Sequence, residues 1–218
     1  MNSDIGFLFD LDGVLIDSES EYTKIWAEID RRFPTKVDNL PIIIKGMTLV
    51  DIIDKYFPIP EYREAVPRLL YELEAEMKYE WLPGARRLLE VLSEKKIPKA
   101  LVTSSNMMKM RKLYLQHPYM ETMFDHIVTG DQVKKSKPDP EGYLLGAGLI
   151  GRTPKKCVVF EDSLQGVKAG RSAGAYVVGV AGTLKREVLA PFSDIVVDTL
   201  ENIDIESIVL ALKERDNE

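Results

Sequence analysis

Short apolar runs separated by amphipathic stretches constrain this chain more than any other feature of it. The first is Ile5-Gly6-Phe7-Leu8-Phe9, which stops abruptly at Asp10, and similar runs lie at 99–103, 127–129, 157–160, 175–180 and 194–197. Runs this short and this uniformly apolar read as strands buried on both faces. Between them, residues 85–92, 107–116, 141–149 and 165–173 space their apolar side chains as helices do. Strands alternating with helices specify an α/β fold: a parallel, Rossmann-like sheet with helices on both faces. Such sheets gather ligands at the carboxyl ends of their strands. Asp10, Thr103 and the pair Glu161-Asp162 are therefore expected together, although they lie far apart in sequence.

Residues 18–80 break the alternation. Tyr22, Ile25, Trp26, Ile29 and Phe33 keep helical spacing, as do Leu49, Ile52, Ile53 and Tyr56, and then Val66, Leu70, Leu73 and Met77. The pattern predicts a helical domain inserted into an α/β core made of 1–17 and 81–218. Ser18-Glu19-Ser20-Glu21 at its entry fits a capping box, and Pro83-Gly84 at its exit is a turn signal. An insert placed directly behind the first strand suits a mobile cap that closes over a site and excludes water.

With 218 residues, 45% of them hydrophobic, the chain can bury a core without disulfides or structural metals. Its one cysteine, Cys157, has no internal partner and lies in an apolar run, as a buried small hydrophobe would. A reducing compartment, the cytoplasm, is expected. The formal net charge of −6 argues against nucleic acid or an anionic membrane as a partner, and no apolar stretch is long enough for a membrane span. A monomer is the default expectation. An acidic protein still binds a phosphorylated metabolite if a cation sits in its site.

The segment that asks for such a cation is Phe9-Asp10-Leu11-Asp12-Gly13-Val14. Two carboxylates two residues apart, straight after a buried strand, are costly without a counter-charge. Carboxylate oxygens and solvent suit Mg²⁺, which favours phosphate-bearing partners. Gly13 lets the chain turn sharply after the pair. Three further stretches fall in order along the chain: Leu101-Val102-Thr103-Ser104-Ser105, Lys137-Pro138-Asp139-Pro140 and Val158-Val159-Phe160-Glu161-Asp162-Ser163. Singly each has a bland reading. Lys137 sits in a lysine run of the kind that is usually solvated, Thr103 can end a strand, and Glu161-Asp162 can cap the helix that follows.

Taken together, these four stretches resemble the four motifs of the haloacid dehalogenase superfamily, in the branch of small-cap phosphatases and β-phosphoglucomutase-like enzymes. The resemblance covers essentially the whole chain. It implies that Asp10 attacks phosphorus to form an aspartyl-phosphate and that Asp12 is the acid, then the base. It also implies that Thr103 donates to a phosphoryl oxygen and that Lys137 balances charge. Asp10, Asp162 and the backbone carbonyl of Asp12 would hold Mg²⁺, with Glu161 in the outer shell, acting through water or Lys137. Asp12 further favours phosphoryl transfer over carbon–halogen cleavage, since the superfamily's dehalogenases need no acid at that place.

Substrate contacts are expected from Ser104 and Asn106, which are equally suited to capping the helix from Met107, and from Lys45 and Gly46 in the loop at 42–48. Neither His117 nor His126 falls in a motif. Where β-phosphoglucomutase carries an arginine that holds a second phosphate, this chain has Leu49, and its cap histidine is matched by Tyr22. A mutase must keep a doubly phosphorylated sugar while it reorients. The expectation is thus a phosphatase for a small phosphomonoester, a sugar phosphate above all. A phosphosugar mutase and a phosphate-binding protein without turnover are the alternatives.

Overall fold

The computed structural model describes residues 4–44, 47 and 49–215. Lys45 and Gly46, two of the expected substrate contacts, lie outside the described residues. The chain forms two compact units, one of residues Met1–Asp17 with Glu80–Glu218, the other of Ser18–Tyr79.

The larger unit is built on six parallel strands: β1 (Gly6–Phe9), β2 (Lys99–Val102), β3 (His126–Val128), β4 (Cys157–Glu161), β5 (Tyr176–Val180) and β6 (Ile195–Val197). Their spatial order is β3-β2-β1-β4-β5-β6. The chain therefore builds outward from β1 in one direction, returns, and builds outward in the other. The strand order reverses between β1 and β4, where sheets of this kind open a crevice at their carboxyl edge. Phe9 stands opposite both Leu101 and Phe160, so the next residue of each strand emerges at the same edge.

Alternation along β1 sends its side chains into two different cores. Leu8 joins Ala100, Val102 and Val159 in a cluster with Tyr143 and Ala147 from one helix and Ala169 from another. On the other face Phe9 stacks on Phe160 with ring centroids 4.9 Å apart, and Phe124 meets it edge-on. Cys157 is buried at the start of β4, where burial pushes its thiol up to about 12.

The smaller unit holds α1 (Ser18–Arg32), α2 (Leu40–Ile43), α3 (Leu49–Tyr56) and α4 (Pro60–Ala75). Ile25, Trp26 and Ile29 of α1, Ile52 and Ile53 of α3, and Val66, Leu69 and Leu70 of α4 are its buried stripes. One sequence expectation needs correction here. The stretch expected to be a loop from Ile42 begins inside α2, because Pro41 suits a first helical turn. Glu21, the far member of the capping box expected at Ser18, turns its oxygens to Lys24 and to the backbone N–H of Lys78.

The larger unit continues with α5 (Ala85–Glu94), α6 (Met107–Gln116), α7 (Glu141–Leu149), α8 (Leu164–Ala173), α9 (Arg186–Leu189) and α10 (Ile205–Arg215). Helices α7 and α8 touch each other; α7 packs on β1, β2 and β3, and α8 on β4 and β5. No described helix is long and apolar enough to cross a membrane.

Candidate active site

At the carboxyl edge Asp10 follows β1, Thr103 follows β2, and Glu161 and Asp162 end β4 and begin the next turn. All four are buried. Lys137 comes from the loop before α7. Its ammonium lies 2.5 Å from Asp10 Oδ1 and 2.5 Å from Glu161 Oε1, and it also donates to the carbonyl of Val102 at 3.3 Å. Burial alone would lower the pKa of Lys137, but the charges of Asp10 and Glu161 outweigh it and hold the group well above the usual lysine range.

Glu161 is fully enclosed and every lone-pair direction has a use. Oε1 accepts from Lys137 and from the Tyr143 hydroxyl at 2.8 Å. Oε2 accepts from the N–H groups of Asp162 and Ser163, both at 3.1 Å, and from the Ser163 hydroxyl at 3.0 Å. Ser163 in turn accepts from Gly166 N–H at 2.9 Å, so the cap of α8 is Ser163 rather than Asp162. A side chain at Gly166 would run into the Glu161 carboxylate, its Cβ falling 1.7 Å from Oε1. Glu161 thus ties Lys137 to the start of α8.

Asp162 is held differently. The Thr183 hydroxyl bonds to it, yet burial, reinforced by Glu161 and Asp10, pushes its carboxyl well above the ordinary range. Burial does the same to Asp10: opposed by Lys137 and helped by Glu161 and Asp12, it raises that carboxyl to about 7. Gly13 is what lets the nucleophile turn meet Asp162. Its φ is +74°, and a Cβ there would fall 1.8 Å from Asp162 Oδ2.

Oxygens of Asp10, Glu161 and Asp162 lie within 4.8 Å of one another; those of Glu161 are taken by protein donors, so Asp10 and Asp162 are the candidate ligands for a metal ion. Around them, the carboxylates of Asp10, Asp12, Glu161 and Asp162 face two ammonium groups, those of Lys137 and Lys109. With all four ionised, as a bound cation favours, four negative charges against two positive ones leave an excess equal to one divalent cation. The raised pKa values of Asp10 and Asp162 go with that missing counter-charge. Hard oxygen donors with that deficit fit Mg²⁺.

Thr103 accepts a hydrogen bond from Ser105 N–H at 3.0 Å, which leaves its own hydroxyl proton to donate. Asn106 caps α6, its Oδ1 accepting from Lys109 N–H at 3.0 Å. Ser104 is exposed and lines a cavity of about 340 Å³ with Thr103, Asn106, Lys134 and Lys137. His117 lies edge-on against the Trp81 ring.

Asp12 is the surprise. Its Oδ1 takes the Lys109 ammonium at 2.6 Å and its Oδ2 the Ser105 hydroxyl at 2.9 Å. Sequence reasoning missed Ser105, Lys109, Tyr143 and Thr183. For Ser105 and Thr183 a signal existed: both are hydroxyl residues just beyond the carboxyl ends of strands. Lys109 and Tyr143 sit on helices, where only the rotation of the helix decides which side chain faces the site.

Residues 7–180 match the haloacid dehalogenase-like hydrolase family. The chain is 34% identical over 207 residues to hexitol phosphatase A of Escherichia coli, covering 92% of this chain and 93% of that protein. It is 35% identical over 185 residues to a phosphorylated carbohydrates phosphatase of Thermotoga maritima, covering 77% and 80% of the two. The crystal structure of a Thermotoga maritima protein assigned to the β-phosphoglucomutases superimposes with a TM-score of 0.75 at 30% identity, over 96% of this chain and 99% of that one. With its parallel sheet and its buried acidic edge, the chain belongs to the haloacid dehalogenase-like hydrolases, in their β-phosphoglucomutase-like branch.

Proposed function

We propose that the chain is a Mg²⁺-dependent phosphatase of small phosphomonoesters, sugar phosphates foremost, working through an aspartyl-phosphate on Asp10. The observation that carries this reading is the contact between the Asp10 carboxylate and the Lys137 ammonium, with Asp162 beside them in one buried pocket. A carboxylate does not approach an anionic phosphoryl group unless positive charge offsets the repulsion. Lys137 supplies one such charge, fixed in place by Glu161 and Tyr143. Asp10, Asp162 and the backbone carbonyl of Asp12 would hold Mg²⁺, which when bound supplies the remaining positive charge.

In the first step an Asp10 oxygen forms its bond to phosphorus as the ester P–O bond breaks, and the leaving oxygen takes a proton from Asp12. The Thr103 hydroxyl donates to a phosphoryl oxygen and fixes the line of attack. In the second step Asp12 takes a proton from water as that water attacks phosphorus and frees Asp10. The named relatives act on phosphorylated carbohydrates and hexitol phosphates, which supports the same substrate class here. The helical unit has a cavity of about 270 Å³ of its own, lined by Glu19, Tyr22, Thr23, Trp26, Leu49 and Glu74. The hydroxyls, carboxylates and apolar surface of this cavity suit an uncharged, hydroxyl-rich molecule, and Leu49 offers no positive charge for a second phosphate.

The test is phosphate release across a panel of sugar, polyol and nucleotide monophosphates with Mg²⁺ and with EDTA. Activity should require the metal, favour sugar and polyol phosphates, and vanish by about 10⁴-fold or more in Asp10→Asn. Isomer formation that needs a bisphosphate activator would establish the mutase instead. No turnover of any ester, with phosphate still bound, would establish a binding protein.

A further inference from the structure

We propose that Lys109, together with Ser105, is the positioning residue that holds Asp12 as the base for the water step. The inference rests on the phosphatase reading above and concerns a residue outside the four motifs. Asp12 lies three residues past β1 in a tight turn, and about a third of its side chain is exposed. Left alone, such a side chain samples several rotamers, and base catalysis needs one of them.

Two groups fix it, one on each oxygen. The Lys109 ammonium meets Oδ1 at 2.6 Å across 97 residues of sequence, and the Ser105 hydroxyl meets Oδ2 at 2.9 Å across 93. A carboxylate has about four lone-pair sites, so one contact on each oxygen fixes the plane of the group without occupying all of them. Lys109 is itself placed firmly. Its N–H is capped by Asn106, the N–H of Met107 donates to Asp131 at 2.6 Å, and its side chain is one-fifth exposed. Ser105 also donates its N–H to Thr103. The turn between β2 and α6 therefore sets the phosphoryl contact and the base together.

The alternative account is a partly exposed ion pair that contributes little to anything. Kinetics of the two half-reactions separates them. p-Nitrophenyl phosphate has a leaving group that needs no acid, so the burst of nitrophenolate reports formation of the phosphoenzyme. Quenched-flow decay of that phosphoenzyme reports the water step alone. In Lys109→Met the decay should slow by about thirtyfold while the burst rate stays within about threefold. Lys109→Arg should restore most of the decay rate, and Ser105→Ala should slow it less than Lys109→Met does. Equal slowing of burst and decay, or an unchanged decay, overturns the inference. A wild-type protein that turns over with no phosphoenzyme on Asp10 overturns the phosphatase mechanism itself, a different result from either.

Discussion

Among the described residues of the helical unit the ion pairs join neighbours on one helix, apart from Arg63 of α4, which reaches Asp54 of α3 at the surface. Lys24 reaches Glu21, and Arg31 and Arg32 reach Glu28, three or four residues away and largely in solvent. In the α/β unit Lys137 reaches Asp10 across 127 residues and Glu161 across 24, with the carboxylates almost wholly enclosed. The first kind decorates a surface and contributes little. The second kind places charge where solvation is lost, which costs stability unless the geometry is tight or a ligand completes it. Function is expected where that cost is concentrated.

That contrast is sharpest at Lys137. Lys137→Met should lower kcat by about 10³-fold and depress the melting temperature, because Asp10 and Glu161 lose the cation between them. Glu28→Gln, which removes two salt bridges at once in the helical unit, should leave kcat within about twofold. Equal effects of the two substitutions would break the comparison.

Stability against pH gives the next largest effect. The folded-state pKa values of Asp10, about 7, and of Asp162 lie above those of free carboxyls. The stability these two groups allow is thus fully present below about pH 4 and is lost as pH rises through about 7. Without metal, calorimetry should show this contribution falling between pH 5 and pH 8. Mg²⁺ favours the ionised carboxylates, so its stabilisation should be larger at pH 8 than at pH 5 and should disappear in Asp162→Asn. A metal effect independent of pH would mean that the ion binds elsewhere. The smallest effect belongs to the helical unit. Tyr22→Phe removes the hydroxyl that donates to Glu74 at 3.0 Å, and it should shift KM among sugar phosphates by a few-fold with phosphoenzyme formation unchanged.

The parallel sheet was legible because its strands are short, apolar and each cut off by a polar residue. The same stops mark the carboxyl edge, which is why Asp10, Thr103 and Glu161-Asp162 could be grouped before any coordinates. Lys137 was legible only through its motif, since a lysine run carries no sign of which member turns inward. The division of labour between Glu161 and Asp162 was not legible. Adjacent residues on an extended chain point opposite ways, and only the packing of α7 and α8 decides that Glu161 meets Tyr143 and Lys137 while Asp162 meets Thr183. Lys109 was invisible for a related reason: its helix carries Arg111 and Lys112 too, and periodicity cannot say which cation faces Asp12.

The enclosed thiol of Cys157 has a practical consequence. With no other cysteine in the chain and this one sealed under the sheet, the native protein behaves toward maleimides as though it had none. A cysteine introduced at Val50 in the helical unit and another at Leu115 in the α/β unit, both well exposed, would take a fluorophore pair without background labelling. Energy transfer between the two dyes, recorded as phosphate and Mg²⁺ are added, would then report whether the distance between the two labelled sites changes.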